Sequence, residues 1–262
     1  QHDEQSEEEV GFPILLRTNK GVQITPDGRR ILPTIRELLK LNERLEQEYS
    51  LIRGIERGKV RIGSFPTLAY AWMPYIIRNF QEKYPHIQIE LVEENSIFRL
   101  EDWLSTGFMD VVFFSRQPKH TYARVDLKTD PYLAVLPSDY PQAAESALSV
   151  QQLLKNPFCM CRSLDGEDQD ISRYLKEYDT KGRYPMTSNS DSTILCMVEE
   201  LGVSILPKLF LDHVLQNRAY RVKTCPLEKP VCRRLGLAAR SFRELSPAAS
   251  RLVQVAMDFF RE

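Results

Sequence analysis

The sequence predicts an α/β fold in which two units of alternating strands and helices follow a β-hairpin and a long helix. Three observations carry this prediction. Apolar residues repeat about every 3.5 positions along the long helix, strands and helices alternate from residue 58 onward, and residues 110–115 form an almost wholly apolar strand. Such an alternation predicts a doubly wound sheet, and 262 residues suffice for one or two cores.

The first elements are the hairpin and the helix. Two short apolar runs flank Thr18-Asn19-Lys20-Gly21, where Asn and Gly tolerate the positive φ of a tight turn. Thr25 is a suitable N-cap and Pro26 a suitable first residue for a helix that extends to about Ile55. Pro33 lies inside this helix, where a bend is expected.

The long helix carries a heptad seam with alternating spacings of four and three residues. Its members are Ile31, Ile35, Leu38, Asn42, Leu45, Tyr49 and Ile52. A single polar residue such as Asn42 in a coiled-coil seam often sets register and partner number. We therefore expect this face to mediate self-association, with packing onto the chain's own domain as the alternative.

The two α/β units follow. In the first unit we expect strands at 59–64, 87–92 and 110–115 with helices over Tyr70–Tyr84 and 97–105, then two strands near Val125–Leu127 and Tyr132–Leu136. In the second unit, strands at 158–162, 184–188 and 203–206 alternate with helices, and a last helix covers 246–260. Because ligands of such sheets bind at the carboxyl ends of strands, a cleft between the units is the expected site.

Charge is distributed unevenly along the chain. The net charge is −1, which excludes a uniformly basic nucleic-acid coat. Residues 1–10 carry five acids and no Lys or Arg, whereas residues 17–61 carry eleven Lys and Arg against six acids. The basic segment indicates either a surface that faces nucleic acid or simply a solvated helix face.

Export, membrane and metal features are not expected. The chain has no apolar run long enough to span a bilayer, and its first residues do not resemble a secretory signal. Five cysteines without such a signal favour reduced thiols and a cytoplasmic location. Cys159 and Cys161 lack the spacing of a zinc knuckle and are expected to pack on one face of a strand, so we predict no metal and no cofactor.

Several segments together resemble one protein family. Glu7 to Arg17, Thr18 to Val22 and Ile24 to Gly28 resemble the wing and linker-helix entry of LysR-type transcriptional regulators. Gly63-Ser64, residues 80–85 and Gly202 to Pro207 resemble the effector domain of that family. The resemblance covers the chain from Glu7 onward.

The resemblance implies a winged helix-turn-helix that binds DNA, a dimerisation helix, and a sensor of two solute-binding-protein-like subdomains. The implied divisions are a partial winged helix-turn-helix (1–25), a linker helix (26–57) and an effector domain (58–262). Within the last, subdomain I covers about 58–137 and 228–262, and subdomain II about 138–227. Dimers or tetramers are implied as well.

The family's first helices, with most of the recognition helix, precede the segment matched here. Residues 1–6 do not resemble a recognition helix. Arg17, Lys20, Arg29 and Arg30 are then left as contacts to the DNA backbone, which position a protein without reading sequence. We expect weak, salt-sensitive DNA binding from this chain.

The family resemblance and the strand ends indicate an effector site for a small organic anion or an amino-acid-like molecule. The candidate residues are Ser64, Phe65, Pro66, Thr67, Phe114, Ser115, Arg162, Ser163, Asn189, Asp191 and Thr193. An Arg could bind a carboxylate through two hydrogen bonds. The simpler interpretations are a strand-to-helix turn at Ser64, a solvated Arg162, and an N-cap at Ser190 or Asp191.

Two other functions remain as alternatives. One is a stand-alone solute-binding module, which would match residues 59–262 but would not need the hairpin and the seam. The other is an enzyme, for which the four histidines form no evident constellation and no phosphate-binding, nucleophile-elbow or zinc-protease motif is present.

Overall fold

A computed structural model of the chain describes residues 11–18, 21–54, 56–162, 170–178, 184–217 and 219–261. It begins with an antiparallel hairpin of β1 (Leu15–Thr18) and β2 (Gly21–Ile24), followed by the 27-residue helix α1 (Pro26–Ile52). The further described elements are β3 (Gly58–Ser64), α2 (Pro66–Ala71), α3 (Met73–Lys83), β4 (Ile87–Glu93), α4 (Ile97–Ser105), β5 (Val111–Ser115), β6 (Ala123–Pro137), a 3₁₀ turn (Pro141–Ala144), α5 (Val150–Leu153), β7 (Cys159–Cys161), α6 (Asp170–Leu175), β8 (Met186–Ser188), α7 (Asp191–Leu201), β9 (Ser204–Pro207), α8 (Lys208–Asn217), β10 (Val222–Pro226), β11 (Cys232–Ala239) and α9 (Pro247–Phe259).

Local chemistry sets both ends of α1. The Thr25 hydroxyl accepts a hydrogen bond from the Gly28 amide and donates one to the Pro13 carbonyl, each at 2.8 Å. The bond from the Gly28 amide satisfies one of the amides that the first turn leaves without a helical partner. The helix ends at Ile52 rather than near Ile55, because Gly54 adopts a φ of +73° that terminates the helical path.

Helix α1 is attached to the first α/β unit through polar side chains. Lys40 Nζ lies 2.5 Å from Asp110 Oδ1, and the Arg61 guanidinium donates to both oxygens of Glu43 at 2.9 and 2.7 Å. Gln47 is buried and accepts a hydrogen bond from the Ala248 amide. The face of α1 that meets its own domain is thus the polar one.

Most described strands join one mixed sheet in the order β10-β6-β11-β5-β3-β4, with β9 also paired to β6. Strands β3, β4 and β5 are parallel, as the βαβ pattern predicted. Strand β11 runs antiparallel to β5 and β6, and β7 and β8 form a separate parallel pair.

Strand β6 connects the two units. The sequence predicted two short strands here, but β6 is continuous over 15 residues. Its first part pairs with β11, and its second part pairs with β9 and β10. Pro131 lies where the partner of β6 changes from β11 to β9. Its missing amide hydrogen therefore does not interrupt the strand, and the backbone stays extended.

The helix predicted over Tyr70–Tyr84 was wrong as a single element. It consists of α2 and α3, separated at Trp72. Pro74 follows in the first turn of α3, where its missing amide costs nothing, but it cannot donate to the preceding helix. In the second unit, the helix predicted between the strands at 158–162 and 184–188 is described over Asp170–Leu175.

Each unit has its own core. The core of the first unit surrounds β3 and β5 and includes Ile62, Phe80 and Phe113, all without exposed surface. The second unit packs two clusters, one around Leu148 and Val203 and the other around Phe210. A cleft is left where the two units meet.

Candidate functional site

The cleft between the units is lined by residues from both units and from the strands that connect them. Its free volume is about 30 Å³, which is room for roughly two water molecules. The lining residues are Phe65, Pro66, Thr67, Asn95, Ile97, Ser115, Tyr132, Cys161, Asp170, Ile171, Asp191, Ile205, Pro207 and Arg233.

A buried ion pair forms the floor of the cleft. Arg233 on β11 and Asp130 on β6 are direct cross-strand partners, so the sheet register brings them together. Arg233 Nε donates to Asp130 Oδ2 at 2.9 Å, and the other Asp130 oxygen accepts the Leu209 amide at 2.8 Å. Their side chains are 7% and 3% exposed, so the pair is shielded from water.

Arg233 retains donors that Asp130 does not use. Its Nη2 is buried and makes no hydrogen bond to any residue that the structure describes, although it lies 2.9 Å from Asp130 Oδ2. The guanidinium carbon lies 5.6 Å from the centre of the Tyr132 ring. Burial alone would lower the pKa of Arg233, but the surrounding acidic groups outweigh it and raise the pKa, so the cation is retained.

Two further carboxylates reach the cleft from the second unit. Asp170 and Asp191 are the first residues of α6 and α7. Burial raises the pKa of both carboxyls above the ordinary value, and hydrogen bonding partly offsets this, from Ser115 to Asp170 and from Cys161 and Thr67 to Asp191. Thr67 and Ser115 of the first unit therefore face acids of the second unit across the cleft.

Polar contacts hold the cleft closed on two sides. Asn95 Nδ2 of the first unit donates to the Asn189 carbonyl of the second at 2.8 Å. Arg173 of α6, which pairs with Asp170, donates to Gln117 Oε1 at 2.9 Å. Opening the cleft would break both contacts.

The structure brings five of the sequence-predicted site residues to the cleft. These are Phe65, Pro66, Thr67, Ser115 and Asp191. Ser64 is fully buried, and its hydroxyl donates to the Phe65 carbonyl beside the cleft. Phe114 packs edge-on against Phe65, with ring centres 6.3 Å apart, and belongs to the core.

The other predicted site residues lie away from the lining. Arg162 is exposed, and Ser163 lies outside the described residues. Asn189 takes part through its carbonyl, which closes the cleft. Ser190 is the N-cap of α7 and accepts the amide of Thr193, whose side chain is exposed.

Most of the described residues that were predicted for DNA binding and self-association lie on the surface. Arg29 and Arg30 are exposed on the first turn of α1, whereas Lys20 and the side chain of Arg17 lie outside the described residues. In the seam, Ile31 and Ile35 are half-buried and Asn42 is exposed. Its other members are exposed by 44% to 84%, namely Leu38, Leu45, Tyr49 and Ile52.

Sequence reasoning missed three of the charged residues at the cleft. Asp130, Asp170 and Arg233 were not among the candidates. One signal was present for Arg233. It lies two residues before Leu235, so both side chains are on the same face of β11, and a charge therefore occupies an inward position. Asp130 had no comparable signal, because it meets its ion-pair partner Arg233 only through the pairing of β6 with β11.

Cys159 and Cys161 are both buried, as predicted from their position in a strand. In the parts of the chain that the structure describes, no group of three or more His, Cys, Asp or Glu is arranged to hold a metal ion. Among the same residues, no helix has the length and apolar character needed to cross a bilayer.

Comparisons with known proteins support the resemblance read from the sequence. The model of the LysR substrate binding domain matches residues 53–261. The transcriptional regulator YvbU of Bacillus subtilis is 30% identical over 257 residues, which cover 97% of this chain and 86% of YvbU. A RuBisCO operon transcriptional regulator of Allochromatium vinosum is 27% identical over 248 residues, or 94% of this chain and 81% of that protein.

Solved structures share the fold. A full-length OxyR variant from Pseudomonas aeruginosa superposes with a TM-score of 0.72 at 22% identity, covering 98% of this chain and 85% of that chain. The effector binding domain of QuiR in complex with shikimate superposes with a TM-score of 0.67 at 18% identity, covering 78% and 98%. The predicted family is confirmed: this chain belongs to the LysR family of transcriptional regulators, and residues 53–261 are its substrate-binding domain.

Proposed function

We propose that this chain is a DNA-binding transcriptional regulator whose cleft binds a small-molecule effector without converting it. The observation that carries the proposal is the buried Arg233, which faces the cleft with donors that no described residue uses. An unpaired donor at a buried position costs free energy, so a ligand acceptor that meets it gains affinity. QuiR, which shares the fold, is known with shikimate in its effector domain.

We propose that the effector domain (58–262) divides into subdomain I, about 58–137 and 228–262, and subdomain II, about 138–227. A ligand in the cleft touches both subdomains. Because the cleft in this arrangement has room for only about two water molecules, a ligand must change the subdomain geometry at the Asn95–Asn189 and Arg173–Gln117 contacts. The altered subdomain geometry is the signal that we expect to reach α1.

The seam of α1 supports a homodimer, or a tetramer of two such dimers. Because α1 meets its own domain through Lys40, Glu43 and Gln47, the apolar seam has no partner among the described residues that covers it. An exposed heptad stripe gains stability by pairing with a second copy. Replacing Leu38 and Leu45 by Glu should yield monomers in sedimentation equilibrium, whereas replacing the exposed polar Glu46 by Gln should leave the dimer intact. A dimer that survives the double replacement would contradict the seam.

We propose that the hairpin and the start of α1 bind DNA. We also propose that the protein acts in the cytoplasm. Arg29 and Arg30 can neutralise phosphates, and such contacts release counterions. Binding measured by fluorescence anisotropy should weaken steeply with salt, and Arg29→Gln with Arg30→Gln should reduce the salt slope by about two. If the chain bound one particular DNA sequence with an affinity that did not change with salt concentration, this assignment would be contradicted.

A thermal-shift screen of small organic acids and amino acids tests the sensor. A ligand at 100 times its Kd stabilises the folded state by about 2.7 kcal/mol, which corresponds to a Tm rise of roughly 5–11 °C for a chain of this size. Thr67→Ala should abolish the shift, because Thr67 lines the cleft. Ser105→Ala removes a hydroxyl on the surface and should not. If no compound raises Tm, the proposed sensor is refuted.

A further inference from the structure

The charges of the cleft do not balance. Among the described residues, Asp130 pairs with Arg233 and Asp170 pairs with Arg173. Asp191 also lines the cleft but forms no ion pair with any of the described cations. Asp191 is therefore left without an ion-pair partner of its own among the described residues, and the cation whose charge reaches it, Arg233, is already paired with Asp130.

The position of Asp191 makes this excess charge costly. Its carboxyl receives hydrogen bonds from Thr67 and Cys161, but these donors are neutral. Burial still raises the pKa of Asp191 above its ordinary value, because the surroundings disfavour the charged form. A cation supplied by a ligand would relieve this cost.

Arg233 is already paired with Asp130, but it keeps one donor that no described residue uses. Its side chain is 7% exposed, it lines the same cleft, and its Nη2 makes no hydrogen bond to a described residue. A guanidinium in this position binds a carboxylate well, since a charged acceptor gives a short, strong hydrogen bond. Asp191 therefore calls for a positive group and Arg233 for a negative one.

We propose that the effector is a zwitterion of the α-amino acid class, with its ammonium on Asp191 and its carboxylate on Arg233. This inference rests on the proposed sensor and names the chemistry of its ligand. The remaining lining is largely apolar and includes Phe65, Ile97 and Ile205. This apolar lining suits a small aliphatic side chain, and because the free volume is only about 30 Å³, the two units must separate to admit an amino acid.

Matched probes separate the two charges of the ligand. The probes are L-alanine with propionate and ethylamine, and L-valine with isovalerate and isobutylamine, each titrated calorimetrically into the full chain. Propionate and isovalerate lack the ammonium, and ethylamine and isobutylamine lack the carboxylate. We expect the better of the two amino acids to bind at least tenfold more tightly than either of its counterparts, which is about 1.4 kcal/mol or more.

A variant tests the protein side. Asp191→Asn keeps the shape of the side chain and should weaken amino-acid binding at least tenfold while leaving propionate or isovalerate binding unchanged or tighter. Asp139→Asn is the control, because Asp139 is exposed in a turn away from the cleft lining, and it should bind as the parent chain does.

The outcomes distinguish the inference from the sensor on which it rests. If the des-amino acids bind as tightly as the amino acids, or if neither amino acid binds while other small acids raise Tm in a Thr67-dependent way, the sensor stands and the zwitterion is refuted. If no small molecule binds at all, both fail. Because the probe comparison does not depend on any variant, a poorly folding Asp191→Asn would not remove the test.

Discussion

The buried ion pair predicts a large loss of stability on neutralising Asp130. Asp130→Asn keeps an oxygen for the Leu209 amide but removes the counter-charge of Arg233, whose side chain is 7% exposed. Breaking a buried pair by removing one partner typically costs ~3–5 kcal/mol, because the other charge is left uncompensated. For a chain of this size, that corresponds to a fall in Tm of roughly 6–20 °C, measurable by differential scanning calorimetry.

A matched pair on the surface provides the control. Lys208 and Asp212 form an ion pair one helical turn apart, with side chains 46% and 50% exposed. Asp212→Asn should cost below about 0.5 kcal/mol, since water screens such a pair. If Asp130→Asn changes Tm no more than Asp212→Asn does, then Arg233 is not held by its partner, and the account of the cleft floor is refuted.

Three further predictions concern the scaffold. Gly202→Ala should cost about 1–3 kcal/mol in urea unfolding, because its Cβ would lie 2.0 Å from the Pro157 carbonyl oxygen; an unchanged midpoint would contradict this. Thr25→Ala should lower the free energy of unfolding by about 1 kcal/mol and speed amide hydrogen exchange in the first turn of α1 only. Exchange that speeds up equally along the whole helix would contradict the role of Thr25 as N-cap. The hydrogen bond from Arg61 holds the pKa of Glu43 below the ordinary value of 4.5, so its stabilisation is present above pH 4.5 and lost as pH falls through the lowered pKa. The difference in free energy of unfolding between Glu43→Gln and the parent chain should therefore be present at pH 7, at below about 1 kcal/mol, and vanish in acid; a difference that does not change with pH would contradict this assignment.

Local patterns in the sequence were sufficient for most elements. The period of the seam predicted α1, and the apolar run predicted β5, because burial of a helix stripe or a strand is written in the spacing of its own residues. The errors fell where local signals conflict with tertiary pairing. Two short strands were predicted on either side of Pro131, yet β6 passes through this residue without a break, since its successive partner strands keep the backbone extended.

The candidate site was predicted in part. Thr67, Ser115 and Asp191 follow strand ends, which a sequence can place, and all three line the cleft. No pattern around Asp130 indicates its partner, because Arg233 lies 103 residues further along the chain. Only the register between β6 and β11 makes the two direct neighbours.

The sequence by itself determined the family, the order of strands and helices, and the presence of an apolar face on the long helix. The tertiary structure decided which face of that helix meets the body, and which charges share the cleft. The physical reason is that side-chain period reports burial along one element, whereas ion pairing depends on distances between elements. Among the described residues, the lack of an ion-pair partner for Asp191 and the unused donor of Arg233 became visible only when the elements that carry them were brought to one cleft.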